Sequence, residues 1–289
     1  MFKTILLASF IALAPASAVA QPPSDTAQRP TGAPAAGGYR AALSAEEIVV
    51  AARESFERLV TRRTGRITLG GGLITLNVPA SYYYLNPHDA QRALVEAWHS
   101  PPRAPPLGIL MQDGISAVDE GSWGVIVTLE SIGHVSDADA AKINYADVMR
   151  GMQAAQAKDN VQREERAAPP VEIVGWAEAP RYDPLSHTLV WATDLKLGDN
   201  DAHALDYNMR ILGRDSVLSL QFFAAMKDLE RIEQALPAVL AIPEFNSSYR
   251  YGEFDPKTDK KAGFGIAGLI ESSWPPAAGS DAGEPGDPT

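Results

Sequence analysis

The sequence predicts an α+β domain: a mainly antiparallel sheet with helices packed on one face. Three observations predict it. Apolar runs of strand length crowd the second half of the chain, at Val171 to Ala177, Leu189 to Leu197, Leu205 to Leu212 and Val217 to Ala224. The connections between the later runs are too short for parallel crossovers, so neighbours must pair antiparallel. Segments of helical period stand apart from this block, near 44–63, 86–98, 139–166 and 227–240, which suits helices laid on a sheet.

The elements follow in order. Ser44 and Glu47 form a capping-box pattern, and Ile48, Ala52, Phe56 and Leu59 recur at helical spacing until Thr64 and Gly65. Arg66 to Leu69 and Leu73 to Val78 flank Gly70-Gly71-Gly72 and read as a hairpin. A phosphate cradle at these glycines would need a lysine and a helix after them, whereas a strand-like run follows. Asn86 and Pro87 open a second helix with Ala90, Leu94, Ala97 and Trp98 on one face, stopped by Ser100-Pro101-Pro102. Strands are expected at Leu107 to Met111 and Trp123 to Glu130, and a helix from about Asp139 to Arg166. The last helix spans Lys227 to Leu240, with Pro237 breaking or restarting it.

The ends read differently. Lys3, the apolar run Ile5 to Ala14 and Ala18-Val19-Ala20 have the form of an export leader cleaved after Ala20, too short to span a bilayer. No cysteine follows the cleavage point, which excludes a lipoprotein, and none stands anywhere in the chain. Thiol catalysis, CxxC redox chemistry and thiolate zinc sites are thereby excluded, and a bacterial periplasm is favoured. Residues 21–41, rich in Pro, Ala and Gly, read as a linker, and 272–289 as an acidic tail. The domain is expected over 42–271, with a division into two subdomains at 166–171 left open. Loss of Lys3 with the leader moves the formal charge from −11 to −12. That acidity excludes nucleic-acid backbone binding and disfavours anionic lipid.

The chemistry is sparse. His134, Asp137 and Asp139 form the best metal-like cluster, and Asp137 or Asp139 capping the next helix explains the same residues. No GxSxG or HExxH motif occurs. A triad on His187, or a carboxylate pair among 36 acidic residues, has nothing to mark its partners. Trp98, Trp123, Trp176 and Trp191 suit a core better than a sugar platform. Gly175 to Asp183 is read as a strand end carrying a buried Trp176, then a turn at Pro180 and Pro184. Arg181 and Tyr182 would lie in that loop as ligand contacts. Arg250, Lys257, Lys260 and Lys261, interleaved with Tyr249, Tyr251 and Phe254, form a locally basic segment suited to an anionic group. Pairing of these cations with Glu253, Asp255 and Asp259 is the structural alternative.

Several segments in one order resemble the bacterial domain-of-unknown-function family 2167, described as membrane-anchored proteins. They are Trp98 to Pro102, Ser122 to Gly124, Val135 to Ala140 with Asn144 and Tyr145, and Gly175 to Asp183 with His187. Leu189 to Ala192, Tyr207 to Arg214 and Arg250 to Lys260 complete the set, and the similarity covers roughly 65–271. The resemblance implies a fold and an envelope location and carries over no catalytic residue. His134 stands where the family pattern has Tyr, and Asp206 and Ser216 where it has Asn and Gly. The pattern continues into membrane spans after Gly265 to Ile270, whereas a polar tail follows here, so no transmembrane helix is expected in the mature chain. The functional expectation is an exported, non-catalytic module binding an envelope protein or a small ligand, without a cofactor. A hydrolase or metal-dependent enzyme using carboxylates and His187 is the alternative.

Overall fold

In the computed structural model, residues 44–100, 104–198 and 203–273 are described. The expected leader, linker and most of the expected tail lie outside them.

Seven strands form one fully antiparallel sheet. In spatial order they are β3 (Tyr82–Leu85), β4 (Gly108–Gln112), β5 (Gly124–Glu130), β10 (Val217–Ala225), β9 (His203–Leu212), β8 (Thr188–Leu197) and β7 (Val171–Asp183). β1 (Gly65–Leu69), β2 (Ile74–Val78) and β11 (Pro243–Phe245) make a second antiparallel sheet, and Gly70–Gly72 turn between its first two strands as the hairpin pattern predicts. The α+β class holds.

Alternation along the strands decides what covers each face. Tyr207 and Met209 of β9, with Leu218, Leu220 and Phe222 of β10, face the small sheet and helix α4 (Leu229–Leu240). On the other face α1 (Ala45–Glu57) and α2 (Pro87–Arg92) cover the β3–β4–β5 end. There α3 (Tyr145–Glu165) and α5 (Ile266–Glu271) cover the β7–β8 end. Helices therefore lie on both faces, because α4 has its own apolar stripe, Ile232, Leu236 and Val239, to bury.

Other expectations change in detail. Pro237 sits inside α4 without breaking it. The missing hydrogen bond is outweighed by burying the three apolar side chains that the continuous helix presents. The α1 capping box forms, yet Ile48 and Leu59 are exposed and only Phe56 of that face is buried. β7 does not end before Pro180. It runs as an edge strand to Asp183 with three register shifts, and an edge tolerates a proline that cannot donate. Arg181 and Tyr182 are thus strand residues rather than loop residues. Trp176 is half-buried, its Nε1 donating to the Tyr145 carbonyl at 3.2 Å. Of the other tryptophans, Trp123 and Trp191 are buried, and Trp98 packs partly buried at the α2 end.

Candidate functional site

Two glycines and one turn assemble the site. Gly133, at φ 91°, lets its backbone pass so near β12 (Lys261–Gly265) that a Cβ would meet the Lys261 carbonyl carbon at 2.8 Å. That approach pairs β12 with β6 (His134–Ser136) in parallel. At Gly265 a Cβ would meet the Asp139 carboxylate at 2.6 Å. Bare backbone there lets Asp139 accept the Ile266 and Ala267 amides at 3.2 and 3.4 Å and cap α5. The β7–β8 turn is held by Asp183, which accepts the Leu185 amide at 2.9 Å and the Ser186 hydroxyl at 2.7 Å. His187 leaves that turn at φ 52°, in the left-handed region.

His187, Tyr182, Asp137 and Tyr251, drawn from three distant stretches of sequence, meet here. The Tyr182 hydroxyl donates to Asp137 Oδ2 at 2.8 Å and lies 3.1 Å from His187 Nδ1. Since the phenol has one proton and Asp137 takes it, Nδ1 carries the hydrogen in the neutral imidazole and Nε2 keeps its lone pair. The Asp137 amide donates to the Tyr251 hydroxyl at 3.1 Å. The Tyr251 ring stacks on His187 at 4.0 Å, and beyond it His134 stacks on Phe254 at 3.8 Å. Burial, reinforced by the bond to Asp137, raises the Tyr182 phenol, and burial pushes Tyr251 up to about 12. Both stay neutral donors at ordinary pH. Burial lowers His134, whose Nδ1 lies 3.0 Å from the Arg214 carbonyl.

The metal-like cluster separates. His134 is held in the ring stack, Asp137 by the phenols and Asp139 by α5. Among the described residues no three His, Asp or Glu side chains gather as metal ligands. The expectation that Asp137 or Asp139 caps the next helix fails: Asn144 caps α3, and Asp139 instead caps α5, 127 residues away. No serine or threonine hydroxyl is bonded to His187 among the described residues; Ser186 is turned to Asp183.

The basic segment wraps the same edge. Asp259 is taken by Arg214, whose Nε and Nη2 lie at 2.7 and 2.9 Å. That bidentate partner holds the Asp259 carboxyl below the usual carboxylate range. Asp255 accepts the Lys257 backbone amide at 2.9 Å. Among the described residues, Arg250, Lys257, Lys260 and Lys261 are left without a carboxylate at ion-pair distance, and all four are exposed. The pairing alternative therefore does not form. Arg250 donates through Nε to the Phe245 carbonyl at 3.2 Å, and Lys261 Nζ stands 5.9 Å from the Phe254 ring centre. Arg181 is apart from this group, paired with Glu178 at 2.9 Å, and Glu178 also accepts the Tyr207 hydroxyl. The Arg214–Asp259 clamp was not singled out in the sequence, where only the fit of one basic and one acidic residue 45 positions apart hinted at it.

What the fold and site define is an α+β domain with an acid–phenol–imidazole cluster beside a row of unpaired cations. The chain belongs to the family described as Protein of unknown function (DUF2167), whose model matches residues 61–279. No curated protein matches it. Among solved structures, cyanobacterial PsbP (CyanoP) from Synechocystis sp. PCC 6803 is similar at 11% identity and TM-score 0.35, over 63% of this chain and 91% of that one. The Saccharomyces cerevisiae Ran-binding protein Mog1p is similar at 12% identity and TM-score 0.32, over 68% of this chain and 100% of that one. At these scores the likeness carries neither fold nor function across.

Proposed function

We propose that this chain is an exported envelope protein whose domain is a non-catalytic binding module for an acidic protein segment. The observation that supports this reading is the set of four exposed cations, Arg250, Lys257, Lys260 and Lys261, without carboxylate partners beside the Phe254–His134 and Tyr251–His187 stacks. In a chain of formal charge −11, long-range attraction for anions is weak. Capture then rests on short-range, charge-assisted hydrogen bonds and on ring contacts. Export rests on the leader pattern, and gives a mature chain beginning at Gln21. The hydrolase reading is less supported: Tyr182 and Asp137 orient His187 as a base would need, but among the described residues no serine or threonine hydroxyl is bonded to it.

The test uses a fluorescent poly-glutamate peptide and the protein recovered from the periplasmic fraction, its N-terminus read by intact mass. The triple substitution Lys257→Gln, Lys260→Gln and Lys261→Gln should abolish binding with little change in the melting temperature, because among the described residues none of the three exposed lysines has an ion pair to lose. Binding unaffected by the triple substitution, or an exported chain retaining Met1, would refute the corresponding half of the reading.

A further inference from the structure

Arg250, Lys257, Lys260 and Lys261 are exposed and, among the described residues, have no carboxylate at ion-pair distance. Two acids of their own segment are engaged elsewhere. Asp259 takes the Arg214 fork and the Asp255 amide, and Asp255 takes the Lys257 amide. In a chain of formal charge −11, a row of four such cations lacks its counter-charge.

Outside the described residues, one stretch has the right sign and length to supply it. Residues 274–289 carry Asp281, Glu284 and Asp287 and no lysine or arginine. By contrast, 21–43 set Arg29 and Arg40 against Asp25, and 199–202 are only four positions between β8 and β9. The three acids recur at every third position, with glycine or proline in each interval. A polyproline turn takes three residues, so in that conformation all three carboxylates share one side, about 9 Å apart.

The root of this stretch is fixed beside the cations. β12 begins at Lys261 and runs directly into α5, whose first amides Asp139 holds and whose Ile266, Leu269 and Ile270 are buried. Five strand residues and six helical ones span at most about 25 Å between Lys261 and the end of α5. From Glu271 the chain extends about 33 Å to Asp281 and about 20 Å further to Asp287. All three acids therefore have the reach to meet the row.

We propose that Asp281, Glu284 and Asp287 dock on Arg250, Lys257, Lys260 and Lys261, so that the chain's own tail occupies the basic face until an acidic partner displaces it. The inference rests on the reading of that face as the acidic-segment site and adds its regulation. Exposed carboxylate–ammonium pairs are individually weak. Tethering compensates, since a short linker holds the tail at an effective concentration on the order of millimolar. A ligand with one or two charges then loses to the tail, and a longer acidic segment wins. The contact thus filters partners by their number of negative charges.

The test compares the full mature chain with its Asp281→Asn, Glu284→Gln, Asp287→Asn variant, using the same poly-glutamate peptide. A tail at millimolar effective concentration with a millimolar affinity blocks half of the sites or more, so neutralising it should tighten peptide binding about two- to tenfold. Equal affinity in the two proteins overturns the docking and leaves the acidic-segment reading standing. Zero-length carbodiimide coupling at low salt, mapped by mass spectrometry on the monomer, reads the contact without any peptide. Links from 281–287 should concentrate on Lys257, Lys260 and Lys261. Links spread evenly over Lys142, Lys158, Lys196 and Lys227 as well, or none from the tail at all, overturn the proposal. Peptide binding by neither protein refutes the acidic-segment reading, and the coupling pattern alone then decides the tail contact.

Discussion

Replacing Tyr182 by Phe deletes one hydroxyl and keeps the ring packed against the α3–α5 side of the core. The lost oxygen donates to Asp137 at 2.8 Å and sits 3.1 Å from His187 Nδ1. A hydrogen bond to a carboxylate contributes roughly 1.5–3 kcal/mol when shielded. Here the Asp137 and His187 side chains are 31% and 30% exposed. Water therefore compensates part of the loss, and Asp137 keeps its contact with Tyr251. The expected cost is about 1–2 kcal/mol, or roughly 3–6 °C in Tm for a domain of this size. Urea unfolding of wild type, Tyr182→Phe, Asp137→Asn and the double variant isolates the pair, with an expected coupling of at least about 0.5 kcal/mol. The His187 tautomer, read from nitrogen-15 shifts, should also lose its preference for hydrogen on Nδ1. A coupling indistinguishable from zero with an unchanged tautomer would refute the network.

Alkaline unfolding should be steep. Burial pushes Tyr83 up to about 12 and raises Tyr207, so above about pH 10 the unfolded chain loses phenolic protons that the folded one keeps. Stability from these phenols is complete below pH 10 and falls by up to about 1.4 kcal/mol per pH unit for each, measurable by urea titration at stepped pH. Asp139→Ala should uncap α5 and cost about 0.5–2 kcal/mol, with Asp139→Asn closer to wild type, checked by urea midpoint. Pro237→Ala should raise stability by about 1–3 kcal/mol by restoring the missing donor inside α4, and an unchanged midpoint would count against that account.

Local chemistry was legible wherever a residue's partner lies within a turn or two. Ser44 and Glu47 cap α1, Asn86 caps α2, and the three glycines turn β1 into β2 as their order along the chain requires. Apolar runs of strand length likewise announced β5 and β7 to β10. β3 was missed, since Tyr82 to Leu85 is a run of only four residues standing just before the Asn86 cap of α2. β7 was cut short because a proline ends most strands, and only the tertiary position of β7 at an edge excuses one. The helical period in α1 marked Ile48 and Leu59 as core, but period does not say whether a sheet lies beneath them.

The site divides along the same line. Composition alone marked 249–261 as basic and aromatic, and Asp137, Tyr182 and His187 were singled out separately, as a metal-like acid, a ligand contact and a triad histidine. Only the fold brings Asp137, Tyr182, His187 and Tyr251 together, takes Asp259 away with Arg214 and so leaves the four cations unpaired. The full burial of Asn208 in mid-sheet is further still from sequence reasoning: a polar residue in a strand reads as solvent-facing until tertiary packing closes over it. A chain encodes caps, turns and strand period in neighbours, whereas burial and charge pairing are set by contacts between residues many positions apart, and those exist only once the sheet has closed.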